Sequence, residues 1–381
     1  MKTLIAKSWF DGQHYHNAEP VTLVIEDDCI EDLIPGEHRV TDDVQLCEFI
    51  MPGLVEGHCH LFLDGGELDY EKRSRYLESN FEQMLEVAHE NLIRNLECGV
   101  TLVRDAGDRY GINHAVRENS KCLDVRSAGI ALRRPKRYGS FMAREVTTRE
   151  DIRIAVNELA ETCDDLKIIQ TGIIDFETGS VKGDPQFDLD DLAFLVRCAH
   201  EVDIKTFAHC SGAEGISIAL AAGVDSIEHG FFMTRELLKR MSDQGTAWVP
   251  TFSPVHYQWE FPEAAGWSAD TVTKLRRILD SHSEHVALAA DIGVNLIAGS
   301  DAGSTGVTHG KSLINEIFHF LDCGVSMKDA LCASTSRPRQ LWGTASSDIK
   351  KGARADMIVL SGDPFVKSEN LWKMQTVVRH G

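Results

Sequence analysis

The chain has 381 residues, 43% of them apolar, enough to bury a barrel-sized core of about 250 residues with a smaller satellite. A formal net charge of −20 opposes nucleic-acid and anionic-membrane binding, since phosphate contacts need a basic face. The opening MKTLIAKSWFDGQHY has no signal-type apolar run, no stretch approaches the roughly 20 apolar residues of a membrane span, and the cysteines lack CxxC spacing. The expectation is a cytoplasmic protein with buried thiols and a small-molecule partner.

Near the N-terminus, TLVIED and CIEDLI read as strands joined through an acidic turn at Asp27-Asp28, which predicts a hairpin. Short β-rich runs then alternate with helical patterns: GLVEGHCH, FEQMLEVAHENLIRNLECG, VTLVRDAG and onward. Strand-like runs lie near 53–60, 100–105, 126–131, 165–170, 204–209, 225–229, 246–251 and 295–301. That alternation predicts an α/β fold, a (β/α)8 TIM barrel over residues 52–343, with a doubly wound sheet as the runner-up. After a helical stretch ending near Trp342-Gly343, ADMIVLSGDPF and MQTVVRHG again read as strands. Residues 1–51 and 344–381 are therefore expected to form one small β-sandwich domain.

His58 and His60 stand two apart at the end of a predicted strand, so both imidazoles project to one face while Cys59 points away. Later strand ends carry Lys167, His209, His229 and Asp301. Each alone has a bland reading as a core or rim residue. Five strands delivering His, Lys and Asp to one rim fit a metal site at the face where barrels build active sites. Lys167 is the odd member, since an ammonium has no lone pair. Among apolar neighbours in DLKII it either forms a structural ion pair or, with a depressed pKa, reacts with carbon dioxide to give a carbamate that bridges two metals.

MPGLVEGHCH, DLKIIQTG, AHCSG, IEHG and GSDAG, closed by IKKGARADMIVLSGDP, resemble the amidohydrolase superfamily over nearly the whole chain. The phrasing is similar to its binuclear imidazolonepropionase-related, prolidase-like (Xaa-Pro dipeptidase) members. The resemblance implies two divalent ions, usually zinc: His58, His60 and Asp301 hold one, His209 and His229 the other, and carboxylated Lys167 bridges them. It implies attack of a metal-bridging hydroxide on an amide C–N bond of a dipeptide or N-acyl amino acid, with Asp301 as both ligand and catalytic base. The same ligands serve a cyclic amidohydrolase, a deaminase of heterocycles, or an organophosphate or lactone hydrolase. A non-catalytic scaffold has no need of the complete set. Large acidic enzymes of this type often form homo-oligomers. One departure is Ser211, where many relatives carry an aromatic residue, which changes a substrate-facing corner.

Other substrate-binding candidates come from loops after predicted strands. Arg133-Arg134-Pro135-Lys136-Arg137-Tyr138-Gly139 is a basic cluster, and Arg133, Arg137 and Tyr138 are candidates for gripping a substrate carboxylate, with a solvated loop as the alternative. TFSPVHYQWE offers His256 and Tyr257 as contacts or as packing groups. Arg104, Asp105 and Gly107 read as structural, Trp248 as core, and His309 as either a residue orienting a ligand or a surface group.

Overall fold

Asp27 and Asp28 adopt left-handed φ values of 44° and 63°, the pair of conformations that a two-residue hairpin turn demands. Val21–Glu26 accordingly folds back on Cys29–Pro35, as the sequence predicts. The computed structural model describes residues 1–379. Lys2–Phe10 pairs antiparallel with Val21–Glu26 and parallel with Val44–Pro52. The latter takes Met357–Leu360 antiparallel, which in turn takes Met374–Val378. Both chain ends thus share one seven-stranded sheet, held by a core that includes Leu4, Leu23, Ile50, Met357 and Val359. The last strand was expected over 374–381; it runs Met374–Val378, and His380 and Gly381 lie outside the described residues.

The middle of the chain is a mixed α/β fold built on parallel strands. One arc orders Leu54–Cys59, Val100–Asp105 and Asp124–Ser127. A second runs through Ala143–Glu145, Ala131–Arg133, Asp165–Ile169, Lys205–Cys210, Ser226–His229, Ala247–Val249 and Asn295–Leu296. Backbone hydrogen bonds join the arcs. Gly57 N–H donates to Ala298 O at 2.9 Å, His60 N–H to Ala302 O at 2.8 Å, and Asp301 N–H to His58 O at 2.7 Å. At the other seam Asp164 N–H donates to Ser127 O at 2.9 Å.

The strand expected over 126–131 is instead two pieces, because Gly129 turns into the left-handed region at φ 64° and hands the chain from one arc to the other. Strands near 246–251 and 295–301 are also shorter than expected. Thr251 and Asp301 have φ of 50° and 56°, which ends extended pairing before either residue. Helices start where caps place them: Asn80 and Gln83 form a reciprocal capping box at Phe81–Glu97, and Thr148 with Asp151 another at Arg149–Ala160. Helical crossovers cover the outer face, so the strands read as buried on both sides, Asp165–Ile169 completely. Among the described residues no helix is long and apolar enough to cross a membrane. All ten cysteines are free thiols, six of them buried.

Candidate active site

Glu56 and His58 alternate along one strand and His60 follows its last residue, Cys59, and all three side chains are buried. Glu56 accepts the His58 N–H (2.9 Å), the Ser300 N–H (2.9 Å) and the Ser300 hydroxyl (2.5 Å), which locks this strand against the segment carrying Asp301. His58 Nε2 and His60 Nε2 each lie 3.8 Å from Asp301 Oδ1. The three candidate ligand atoms fall within 4.8 Å of one another. A tetrahedral zinc with bonds near 2.0–2.1 Å holds its ligands roughly 3.3 Å apart. Small side-chain movements would close the difference.

Each imidazole is held by its other nitrogen. His58 Nδ1–H donates to Glu228 Oε2 at 2.6 Å and His60 Nδ1–H to Gly107 O at 3.0 Å, leaving both Nε2 lone pairs facing inward. His209 Nε2–H donates to Gly172 O at 3.4 Å, and His229 Nδ1 sits 2.7 Å from Thr251 Oγ1. Their rings stand 4.6 Å apart, with His229 5.2 Å from His58. Burial pushes His60 and His209 down to about 3, and His58 and His229 well below the usual histidine range. These are neutral imidazoles at neutral pH, the form that binds metal.

Lys167 enters between them, with Nζ 3.1 Å from His58 Nε2. Burial brings its ammonium down to about 8, against the pull of Glu228 and Asp301. Asp301 moves the other way, pushed up to about 7 chiefly by burial. Both groups are thus close to changing charge near neutrality.

Three residues of this site have positive φ without being glycine: His229 (68°), Thr251 (50°) and Asp301 (56°). Such backbone costs about 1–3 kcal/mol per residue and clusters at functional sites. At His229 the geometric return is visible. Adjacent strand residues face opposite ways, yet the left-handed twist lets Glu228 reach His58 while His229 reaches the cavity. The next residue, Gly230, also sits at φ 64°, and a Cβ there would meet the Trp248 indole nitrogen at 2.3 Å. That indole donates to His229 O at 3.0 Å. Gly230→Ala is expected to cost about 2 kcal/mol or more and to displace His229. Calorimetric melting with metal titration checks it; an unchanged melting point and metal affinity would refute the packing account.

His58, His60, Lys167, His209, His229 and Asp301 all line one cavity of about 260 Å³. Tyr138 and Ser211 line it too. The Tyr138 ring stands 5.3 Å from that of His209, and burial with the nearby Asp301 pushes its phenol up. Ser211 Oγ accepts the Phe231 N–H at 3.3 Å. The other sequence candidates are not among the lining residues. Arg133 is turned into its own loop, bonding the carbonyls of Arg134 and Arg137 and Glu145 Oε1 (2.8 Å), and Arg137 donates to the Asp184 carbonyl. His256 packs on Trp259 and His319, and Tyr257 on Gly306 and Phe261. His309 is buried away from the surface, its Nε2 3.3 Å from the carbonyl of Leu63, which lines the cavity.

Two buried carboxylates escaped sequence reasoning. Glu228 accepts from His58, from Arg104 Nη2 (2.9 and 3.0 Å) and from Ser226 Oγ (2.6 Å). Glu56 clamps two strands as described. Their signal was present, since Glu56 shares the alternation of His58 and His60, whereas Glu228 needed the unusual φ at His229 to be found. Arg104 and Asp105, read as structural, do brace the site: Arg104 Nε donates to Gly57 O at 2.8 Å, and Asp105 accepts the Leu61 and Gly107 N–H groups at 2.9 and 2.8 Å.

Residues 49–381 match the amidohydrolase family model. An uncharacterized protein of Mycobacterium tuberculosis is 28% identical over 319 residues, covering 83% of this chain and 80% of that one. The ochratoxinase of Aspergillus niger is 24% identical over 393 residues, covering 93% and 79%. Among solved structures, a Xaa-Pro dipeptidase with methionine bound in its active site superposes with a TM-score of 0.85 at 22% identity, covering 100% of this chain and 98% of that one.

Proposed function

This chain belongs to the amidohydrolase family, and we propose that it is a metal-dependent hydrolase of an amide C–N bond in a small molecule, a dipeptide, an N-acyl amino acid or a related amide. The observation that carries the reading is the convergence of His58, His60 and Asp301 within 4.8 Å, beside His209, His229 and Lys167, in one cavity. The names of the ochratoxinase and the dipeptidase lend it support. In this reading the two parallel arcs form a (β/α)8 barrel over residues 52–343, and 1–51 with 344–381 form a β-sandwich domain on it. The backbone bonds at the two seams support closure.

The donor set suits two divalent ions. His58, His60 and Asp301 would hold one and His209 and His229 the other, and the neutral imidazoles would favour zinc. Lys167, once its neutral amine has added carbon dioxide and lost a proton, would offer a carbamate to both, a reading supported by its burial and depressed pKa. When bound, such ions activate water at neutral pH and polarise a carbonyl. The chain's own residues do the rest. Asp301 takes the proton of the attacking water and passes it to the departing amine. Glu228, Gly107 and Thr251 hold the imidazoles in register. A cytoplasmic, homo-oligomeric enzyme completes the proposal.

The test is protein grown with zinc and bicarbonate, measured for metal stoichiometry, for the mass of one added carbon dioxide on Lys167, and for hydrolysis of dipeptides, N-acyl amino acids and cyclic amides. Two metals per chain and amide turnover are expected. Metal-free protein, or turnover confined to a heterocyclic amidine or a phosphotriester, would reject the reading.

A further inference from the structure

The cavity around the candidate ligands has two unlike halves. Its floor is polar, whereas its walls are Leu63, Phe141, Met142, Ile174, Phe176 and Val255. Phe176 is steadied edge-on by Trp267 at 5.8 Å, so this wall is built and not a chance apolar exposure. Beyond Leu63, Phe141 and Thr305, which belong to both, lies a second cavity of about 530 Å³, with Tyr70, Tyr76, Leu77 and Val87 in its lining. The apolar surface therefore extends well past the reacting centre.

A substrate carboxylate needs a cation or several donors once taken from water. Among the described lining residues of the inner cavity the one cationic side chain is Lys167, at the floor with its Nζ 3.1 Å from His58 Nε2, where the proposed ions would face the scissile carbonyl, so the walls offer a remote carboxylate no positive charge. Arginines nearby are already engaged. Arg133 bonds Glu145 and its own loop, and Arg137 bonds the Asp184 carbonyl. At the second cavity Arg73 donates to the carbonyls of Asp64, Glu67 and Gly303, and Lys72 pairs with Glu67 at 3.5 Å. The polar wall groups are uncharged: Gln258, Ser304 and Thr305 can hydrogen-bond a neutral carbonyl or N–H.

Resting on the amide-hydrolase reading, we propose that the substrate is an uncharged amide flanked by aromatic or branched alkyl groups, with one arm reaching past Leu63 and Phe141. Hydrolysis of such a molecule consumes one water. Its oxygen bonds the carbonyl carbon, the C–N bond breaks with its electron pair leaving on nitrogen, and the protons end on the amine.

The experiment compares N-benzoyl-leucine with N-benzoyl-isopentylamine, the same skeleton without the carboxylate, by benzoate release from zinc-loaded enzyme. In parallel, calorimetry measures binding of the matching phenyl ketones, in which a methylene replaces the amide nitrogen. The neutral member should win by tenfold or more in kcat/KM and in Kd. Preference for the acid, or no preference, in both readouts overturns the inference while leaving amide hydrolysis standing. Tenfold tighter binding of the neutral ketone with no turnover of either amide supports the inference and rejects the hydrolase reading instead. Ile173→Arg places a guanidinium on a half-exposed residue of the same lining. It should move the Kd ratio at least tenfold toward the acid, and an unmoved ratio would show that a missing cation is not what sets the preference.

Discussion

Replacing Asp301 by asparagine is expected to lower kcat by about 10²–10⁴-fold, the scale of lost proton transfer, while the melting temperature hardly moves. The substitution isolates chemistry from architecture unusually well. Asp301 sits at φ 56°, and asparagine is among the few residues that accept that conformation readily. Its amide oxygen can still accept from Ser304 Oγ, now at 3.2 Å from Oδ2. What disappears is the negative charge 3.8 Å from both His58 and His60, and with it a carboxylate that burial has raised to about 7, where it can take up and return a proton near neutrality. Steady-state kinetics on the best amide, paired with a circular-dichroism melt, decide the matter. Near-full activity would remove Asp301 from the reaction, and a collapsed melt would make its role one of folding.

Glu228→Ala should damage both stability and metal binding. Arg104 and Glu228 are 2% and 0% exposed, and the guanidinium lies between the rings of Phe207 (4.3 Å) and Trp342 (4.9 Å), so the substitution leaves a buried charge without its carboxylate. Removing one partner of such a buried pair costs about 3–5 kcal/mol. His58 also loses the acceptor at 2.6 Å that fixes its tautomer, which should weaken metal affinity by about 10–100-fold. Thermal melting and competition with a chelator measure the two effects separately. Adding Arg104→Met to this variant should recover much of the stability and none of the affinity, because methionine removes the orphaned charge without restoring the His58 contact. Recovery of both would mean that Glu228 acts on the metal site only through folding.

Much of this was legible in the sequence because it follows alternation. His58 and His60 belong to one strand face, and Lys167, His209, His229 and Asp301 each close a strand-like run, so one rim gathers them. Where the backbone leaves regular geometry, pattern reading fails. The run near 126–131 hid a break at Gly129, and Glu228 reaches His58 only through the left-handed backbone at His229, which no alternation encodes. Loop residues were harder still. Tyr138 and Ser211 reach the cavity, but the charges of Arg133 and Arg137 are spent on carbonyls and on Glu145, and His256 and Tyr257 pack among aromatic neighbours. A side chain on a loop takes its direction from tertiary partners that no local period encodes.

The clamp between Glu56 and Ser300 spans 244 residues of sequence. A ribosome moving at about 5–20 residues per second therefore exposes the HCH strand about 10–50 s before the partner that completes it. Throughout that interval the nascent chain carries an open parallel edge, with two histidines able to catch a cation but no aspartate to hold it. The candidate ligand set is thus complete only once Asp301 has emerged. A chain cut short before Ser300 is an adhesive half-sheet for chaperones to shield, with neither the clamp nor the site of the finished protein.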